Sequence, residues 1–495
     1  MSTANTPGPT ATAGPARPVS RRLVLVICCL SVGITGIDLT IVNVALPSIS
    51  RDLHASVSGL QWTVDAYSLV MACLLMLSGS MADRFGRKRV FQLGLVLFSL
   101  GSLLSSAAPG AGWLIAFRGL QAVGGSMLNP VAMSIIASVF TDRRERARAI
   151  GVWASAIGIT MAAGPVLGGV LVSGIGWRSV FWVNVPIGIA AIVLTRSFIP
   201  ESRAARARAF DAPGQALIIV LFASIIAATI EGPRRGWANP WIIGLLALAA
   251  AALAGILIVE PRRSEPLIDL RFFRSPPFAG ANVISIVMTA GLGGFSFLNA
   301  LYLQDIRHLS PLRAGLMIIP LAAGQAVAAN RSGRLVAARG ARLPLALGGA
   351  LLAAGGFLLV PLTARTASGY LLAAYAVFGL GAGMISPAVS NTAVSGLPPD
   401  QVSVAGALAA SARQFGSAIG VAVTGSIVAS TGAGFISSSH AALAVIGGCG
   451  LAALALGLIS TGSRARAAAA RNGQRLAAPP TPGHQGHLRT GARKE

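Results

Sequence analysis

The sequence predicts an all-α polytopic membrane protein with fourteen transmembrane helices, built as two six-helix bundles with two helices inserted between them. Three observations predict it. Apolar residues make up 54% of the 495 residues and charged residues only 11%, whereas a soluble protein carries about 25% charged residues. Apolar stretches of about 20 residues recur from Leu23 to Ile459, each long enough to cross a bilayer. Two segments also echo one another at similar offsets. Gly79 and Gly86, with basic residues just beyond, recur as Gly333 and Gly340, and Gly119-Leu120-Gln121-Ala122 recurs as Gly379-Leu380-Gly381-Ala382. Such echoes are expected of two parallel halves.

The elements follow in order. Residues 1–20 are polar and rich in Pro, Ala and Thr, a composition that predicts a disordered tail. The N-terminal bundle, 21–197, holds spans at 23–47, 59–81, 90–108, 111–140, 147–173 and 179–197. Arg21 and Arg22 anchor the first of these; no small-residue cleavage site follows them, so they do not read as an export signal. Two inserted spans occupy 213–231 and 240–260, flanked by the basic segments 196–212 and 260–277. The C-terminal bundle, 278–462, holds spans at 278–303, 314–334, 343–362, 369–393, 402–430 and 441–462. Residues 463–495, rich in Ala, Arg and Pro, are expected to form a disordered basic cytoplasmic tail.

A net charge of +24 could suggest a nucleic-acid partner. Its distribution argues otherwise. If the spans alternate, most of the 39 Lys and Arg residues fall in the segments on the side of the two termini. That is the positive-inside pattern, and it places both termini in the cytoplasm. Six of the seven tryptophans (Trp62, Trp113, Trp177, Trp182, Trp237 and Trp241) fall near the opposite ends of spans, where amphipathic rings favour the interface. Cys28, Cys29, Cys73 and Cys449 sit in apolar spans and read as packing residues, without disulfide or metal spacing. None of the five histidines lies inside a span, and no phosphate-binding P-loop is present. Neither a metal nor another cofactor is expected.

Charges inside the spans are therefore few and informative. An acid at that depth costs roughly 2.5–3.5 kcal/mol on insertion scales and is functional by default. Asp38 lies about 13 Å from the far end of span one, Asp65 about 9 Å into span two, and Arg118 about 10 Å into span four. The three are expected to form one cluster whose opposing charges tune a proton affinity. The bland alternative is a static buried Asp–Arg pair, because structural networks perturb acidities as well. Arg413 and Gln414 lie deep in span thirteen, and Asn43, Gln121, Asn299, Tyr302 and Gln325 are further candidate cavity groups. Each of these last five, taken alone, reads as an interhelical hydrogen bonder before it reads as a substrate contact. In the loop after span two, Gly79, Asp83, Gly86 and Arg87 combine turn-permitting glycines with charges able to hold a neighbouring helix end. In span five, Gly164, Gly168 and Gly169 flatten one face, and Pro165 removes a hydrogen bond and bends the helix.

At these residues the chain resembles the major facilitator superfamily, and within it the fourteen-helix drug:proton antiporter branch. Asp83-Arg84-Phe85-Gly86-Arg87-Lys88 resembles the superfamily's loop between helices two and three. Arg118-Gly119-Leu120-Gln121-Ala122-Val123-Gly124 is similar to the helix-four motif, with Ala122 where the family usually has glycine. Gly164-Pro165-Val166-Leu167-Gly168-Gly169 resembles the helix-five antiporter motif, and Asp38 with Leu39–Pro47 resembles the first-helix motif. Phe181–Gly188 and the Arg413-Gln414 pair resemble further stretches of the same branch. The second-half loop carries Ala337 where the first half has Asp83, so any lock on Asp83 is one-sided. The resemblance implies export of an amphipathic small molecule from the cell in exchange for protons, across the inner or plasma membrane, with the lipid bilayer as the other partner. A proton-coupled uptake symporter and a non-transporting membrane sensor are the rival readings.

Overall fold

The computed structural model describes residues 20–203, 211–263, 266–395, 402–430 and 434–477. The expected N-terminal tail, apart from Ser20, and residues 478–495 lie outside the described residues. The first half comprises α1 (Arg21–Leu53), α2 (Val57–Phe85), α3 (Arg87–Ser106), α4 (Ala111–Val139), α5 (Arg143–Gly174), and the broken sixth span, α6 (Ser179–Trp182) and α7 (Asn184–Phe198). The inserted pair is α8 (Ala212–Arg235) and α9 (Pro240–Val259). The second half comprises α10 (Pro276–Leu301) with a π turn at Tyr302–Ile306, α11 (Pro311–Met317), α12 (Ile319–Arg339), α13 (Arg342–Leu358), α14 (Ser368–Val394), α15 (Val402–Ser430) and α16 (Phe435–Ser460). Among the described residues, twelve helices are long and apolar enough to cross a membrane. The seventeen-residue apolar α13 and the 29-residue α15, which carries Arg413, occupy the two other stretches predicted as spans.

The halves repeat one another in their packing. α3 lies along α4 and α2 along α4 in the first half; α13 lies along α14 and α12 along α14 in the second. The glycine echo has the same physical content in both copies. A side chain at Gly79 or Gly333 would meet open space, while Gly86 (φ 107°) and Gly340 (φ 78°) hold the left-handed turn that follows.

Residues 463–477, expected in a disordered tail, form a helix, α17 (Ser463–Ala477). Its alanines explain the difference. Alanine is the best helix former, and Ala465 and Ala469, four residues apart, are buried against the rest of the chain while Arg464 and Arg471 stay exposed. Asn472 Nδ2 donates to Arg271 O at 3.1 Å and fixes the helix to the segment before α10.

The halves meet at the end of the bundle away from Arg21. There Gln61 Nε2 donates to Ala422 O at 2.9 Å, Gln304 Nε2 to Val44 O at 2.8 Å, and Leu312 N to Ser173 Oγ at 3.3 Å. α5 shows the asymmetry along one helix. A methyl group at Gly169 would fall 2.7 Å from Leu312 Cα of the other half, whereas one at Gly158 or Gly151, nearer the terminal end, would meet nothing within 4 Å. α5 thus meets the second half at its distal end, at Gly169, and not at Gly158 or Gly151.

Candidate functional site

The first half encloses a polar network in apolar surroundings. α1 delivers Asp38, α3 Ser102, α4 Arg118 and Gln121, and the start of α7 Asn184; all are at most 2% exposed. Arg118 and Gln121 are three residues apart on α4, so they share a face. The break in the sixth span at Val183 lets Asn184 open α7 with its amide turned into the bundle.

Arg118 Nη1 donates to Asp38 Oδ2 at 2.6 Å and to Gln121 Oε1 at 2.8 Å. Its Nε donates to the carbonyl of Thr63 on α2 at 3.3 Å. Asp38 Oδ1 accepts from Gln121 Nε2 at 2.8 Å and from Asn184 Nδ2 at 3.3 Å. Ser102 Oγ accepts from both of those amides, at 3.1 Å each, and donates to Phe181 O at 2.9 Å. Above and below, the guanidinium packs on the ring of Tyr67 (4.2 Å to its centroid) and that of Phe181 (5.7 Å), which stabilises a desolvated cation. Five spans are thus bonded through one carboxylate and its neighbours. Such a pair adds little net stability, since desolvation offsets its attraction, but losing either member leaves a bare buried charge.

Asp65 does not join this network. It is fully buried, and neither carboxylate oxygen has a hydrogen-bond partner among the described residues. Its depth agrees with expectation, because Thr63 and Tyr67 flank it in sequence and both touch Arg118. Its direction differs. Asp65 lies about 200° around α2 from Thr63 but only about 40° from Gln61. It therefore shares the face on which Gln61 reaches α15 of the second half. The expected three-residue cluster is a bonded pair and a separate acid.

The remaining candidates scatter. Gln121, expected in a cavity, is a bridging member of the network. Asn43 is half-buried and donates within its own helix to Leu39 O. Asn299 bonds to the hydroxyl of Tyr375, and Tyr302 donates to Thr363 O at 2.7 Å. Both are buried inside the second half beside a void of about 10 Å³, room for no more than one water. Gln325 is half-buried on α12, where its backbone meets Gly383. Arg413 and Gln414 are half-buried on α15, without a hydrogen-bond or ion-pair partner among the described residues.

In the loop after α2, Arg87 Nη2 donates to Asp83 at 3.2 Å. Sequence reasoning missed the acceptor that holds the loop itself. Glu201, beyond α7, takes the backbone N–H of Lys88 at 3.1 Å and lies 3.7 Å from Arg89 Nε, while Arg87 N donates to Ser202 O. A side chain on Gly86 would strike Glu201 Oε1 at 2.6 Å. On α5, Gly164 faces Thr40 and Gly168 faces Ile41 of α1, while Pro165 and Gly169 face α11 across the halves. Ser102, Asn184 and Tyr67 were also missed. Asn184 entered the sequence reading only as part of the Phe181–Gly188 stretch, with no role of its own. Among the described residues no three His, Cys, Asp or Glu gather as a metal site.

A family profile described as Major Facilitator Superfamily matches residues 28–421. The chain is 35% identical over 407 residues to the multidrug resistance protein Stp of Mycobacterium tuberculosis, covering 82% of this chain and 76% of that protein. It is 36% identical over 398 residues to the methylenomycin A resistance protein of Streptomyces coelicolor, covering 80% and 83%. It is 33% identical over 407 residues to the tetracenomycin C resistance and export protein of Streptomyces glaucescens, covering 82% and 76%. Among solved structures, a bacterial homologue of the human lysosomal transporter Spinster shares the fold, with TM-score 0.63 and 17% identity over 94% of this chain and all of that one.

Proposed function

The chain belongs to the major facilitator superfamily of multi-pass membrane transporters, and from that premise we propose that it exports an amphipathic drug, antibiotic or secondary metabolite from the cell in exchange for protons. Three relatives named for drug or antibiotic resistance, one of them also for export, support the direction and substrate class. The single observation that carries the coupling is the pair of wholly buried aspartates, one locked to Arg118 and one unbonded.

Burying an unpaired carboxylate costs far more than burying the neutral acid. Asp65 is the group assigned to carry a proton at the interface between the halves. Protonating Asp38 would weaken its attraction for Arg118 and loosen α1 from α4 and α7. Both events bear on how the two halves rock about the centre, the alternating-access motion of this architecture. Pro165 and Gly169 pack against α11 at the distal end, a contact that must open when the terminal end closes. With both termini in the cytoplasm, the described state faces inward, in the cell (inner or plasma) membrane. Half-buried Asn43, Gln325, Arg413 and Gln414 are the assigned cavity polar groups.

The test is uphill extrusion of an amphipathic dye from proteoliposomes carrying an imposed proton gradient. Extrusion is expected to stop when an ionophore collapses the gradient, and to be absent in Asp38→Asn while that variant remains folded. Extrusion indifferent to the gradient overturns the proposal.

A further inference from the structure

On the outer flank of the first half, α1 and α5 part company. From Thr160 to Gly168 they are in contact, since a methyl at Gly36 would sit 2.5 Å from Thr160 Oγ1 and one at Gly168 2.8 Å from Ile41 Cγ1. Toward the terminal end they splay and leave a groove of about 900 Å³, floored in part by Ile187 of α7. Its walls are Val26, Cys29 and Gly33 on α1 and Val152, Ser155 and Ile159 on α5, among others. Ser155 and Thr160 spend their hydroxyls on the carbonyls of their own helix, so neither offers a free donor to the groove. Val152 (52% exposed) and Ile159 (69%) are exposed, as are Val170 on α5 and Ile189 and Val193 on α7. Large apolar side chains exposed on both helices are what a membrane span shows to lipid.

Two features fix the occupant. The first is length. From Arg148 to Thr160 the groove runs about 18 Å, close to the ~15 Å half-thickness of a bilayer's hydrocarbon core, so it serves one leaflet and ends at mid-membrane. The second is charge. Arg148 lines the mouth of the groove, and Arg22 stands one turn before Val26 on the same α1 stripe. Both are exposed and neither has an ion-pair partner among the described residues. The nearby acid Glu145 is already bound by Arg21 at 2.7 Å. Two free arginines thus stand at headgroup level above an acyl-length apolar slot.

We propose that this groove is a binding site for an anionic phospholipid of the leaflet on the side of the termini, its phosphate held by Arg22 and Arg148 and one acyl chain lying between α1 and α5. The groove is lined by none of the residues of the Asp38–Arg118 network.

Native mass spectrometry of the full chain, released from mixed micelles of phosphatidylglycerol and phosphatidylcholine, tests it. Selective retention of phosphatidylglycerol is expected. Arg22→Gln and Arg148→Gln should each weaken it about five-fold, the worth of one arginine near an anionic headgroup, and Arg148→Lys should keep most of it. Ser155→Phe, which fills the slot, should reduce retention of the lipid without changing the arginines; monodispersity on gel filtration verifies that each variant is folded. Equal retention of both lipids overturns the proposal, as does undiminished phosphatidylglycerol binding by the folded double arginine variant. Displacement of the lipid by glycerol 3-phosphate alone would also overturn it, by showing that the acyl slot contributes nothing.

Discussion

Asp38 and Asp65 are both aspartates of the first half, both wholly buried and both at a similar depth, yet their surroundings are opposite. Asp38 accepts three hydrogen bonds, one from a guanidinium, and ties α1 to α4 and α7. Asp65 accepts none among the described residues and faces the other half of the molecule. Burial alone therefore does not define a carboxylate's work. The bonded acid ties three helices of the first half to one another. The unbonded acid stands on the face of α2 that meets the other half, which is why the proposed proton step is placed there.

The largest expected effect comes from breaking the bonded member. Arg118→Ala leaves Asp38 buried without its cation and should cost about 3–5 kcal/mol, read as a large drop in thermal unfolding temperature in detergent. The double variant Asp38→Asn, Arg118→Gln removes both charges while keeping shape and amide bonding, and should recover much of that loss. A double variant as unstable as Arg118→Ala would show that the pair is not what holds these helices. Either variant should abolish uphill export.

The same logic reverses sign at Asp65. Asp65→Leu removes a buried polar group that has no partner, and should raise stability by about 1–3 kcal/mol while proton-driven export is lost. Leucine at position 38 should do the opposite for stability, because it strands Arg118. Thermal unfolding and transport measured on both variants sharpen the contrast. If Asp65→Leu is as destabilising as Asp38→Leu, Asp65 has partners that its geometry does not reveal.

This division explains what could be read before the structure. Asp38 and Arg118 stood out because charges are rare in apolar spans, and counting residues at 1.5 Å each put them at one level. The same count placed Asp65 correctly in depth. It carried no information on the angle between helices, and a step of two residues on α2 turns a side chain to the far face. Ser102 and Asn184 were hidden for another reason: small polar residues are common in spans, and only the partner helix shows which of them are bonded. Glu201 was out of reach because it meets the Gly86 loop across 115 residues of chain (201 − 86). α17 was misjudged because an Arg- and Pro-rich composition outweighed the alanine spacing of its first half.

Gln121 and Asn184 offer the finest graded test, since both donate to the same oxygen of Asp38 and to the same hydroxyl of Ser102. Gln121 also accepts from Arg118, and its bond to Asp38 is 2.8 Å against 3.3 Å for Asn184. Gln121→Leu should therefore cost about 2 kcal/mol and Asn184→Leu about 1 kcal/mol. Ser102 keeps its bond to Phe181 O in either case, so neither change strands a donor there. Each variant paired with Asp38→Asn in a double-mutant cycle isolates its coupling to the carboxylate. The coupling should be larger for Gln121 than for Asn184. The reverse order would mean that the break before α7, rather than the face of α4, orients Asp38.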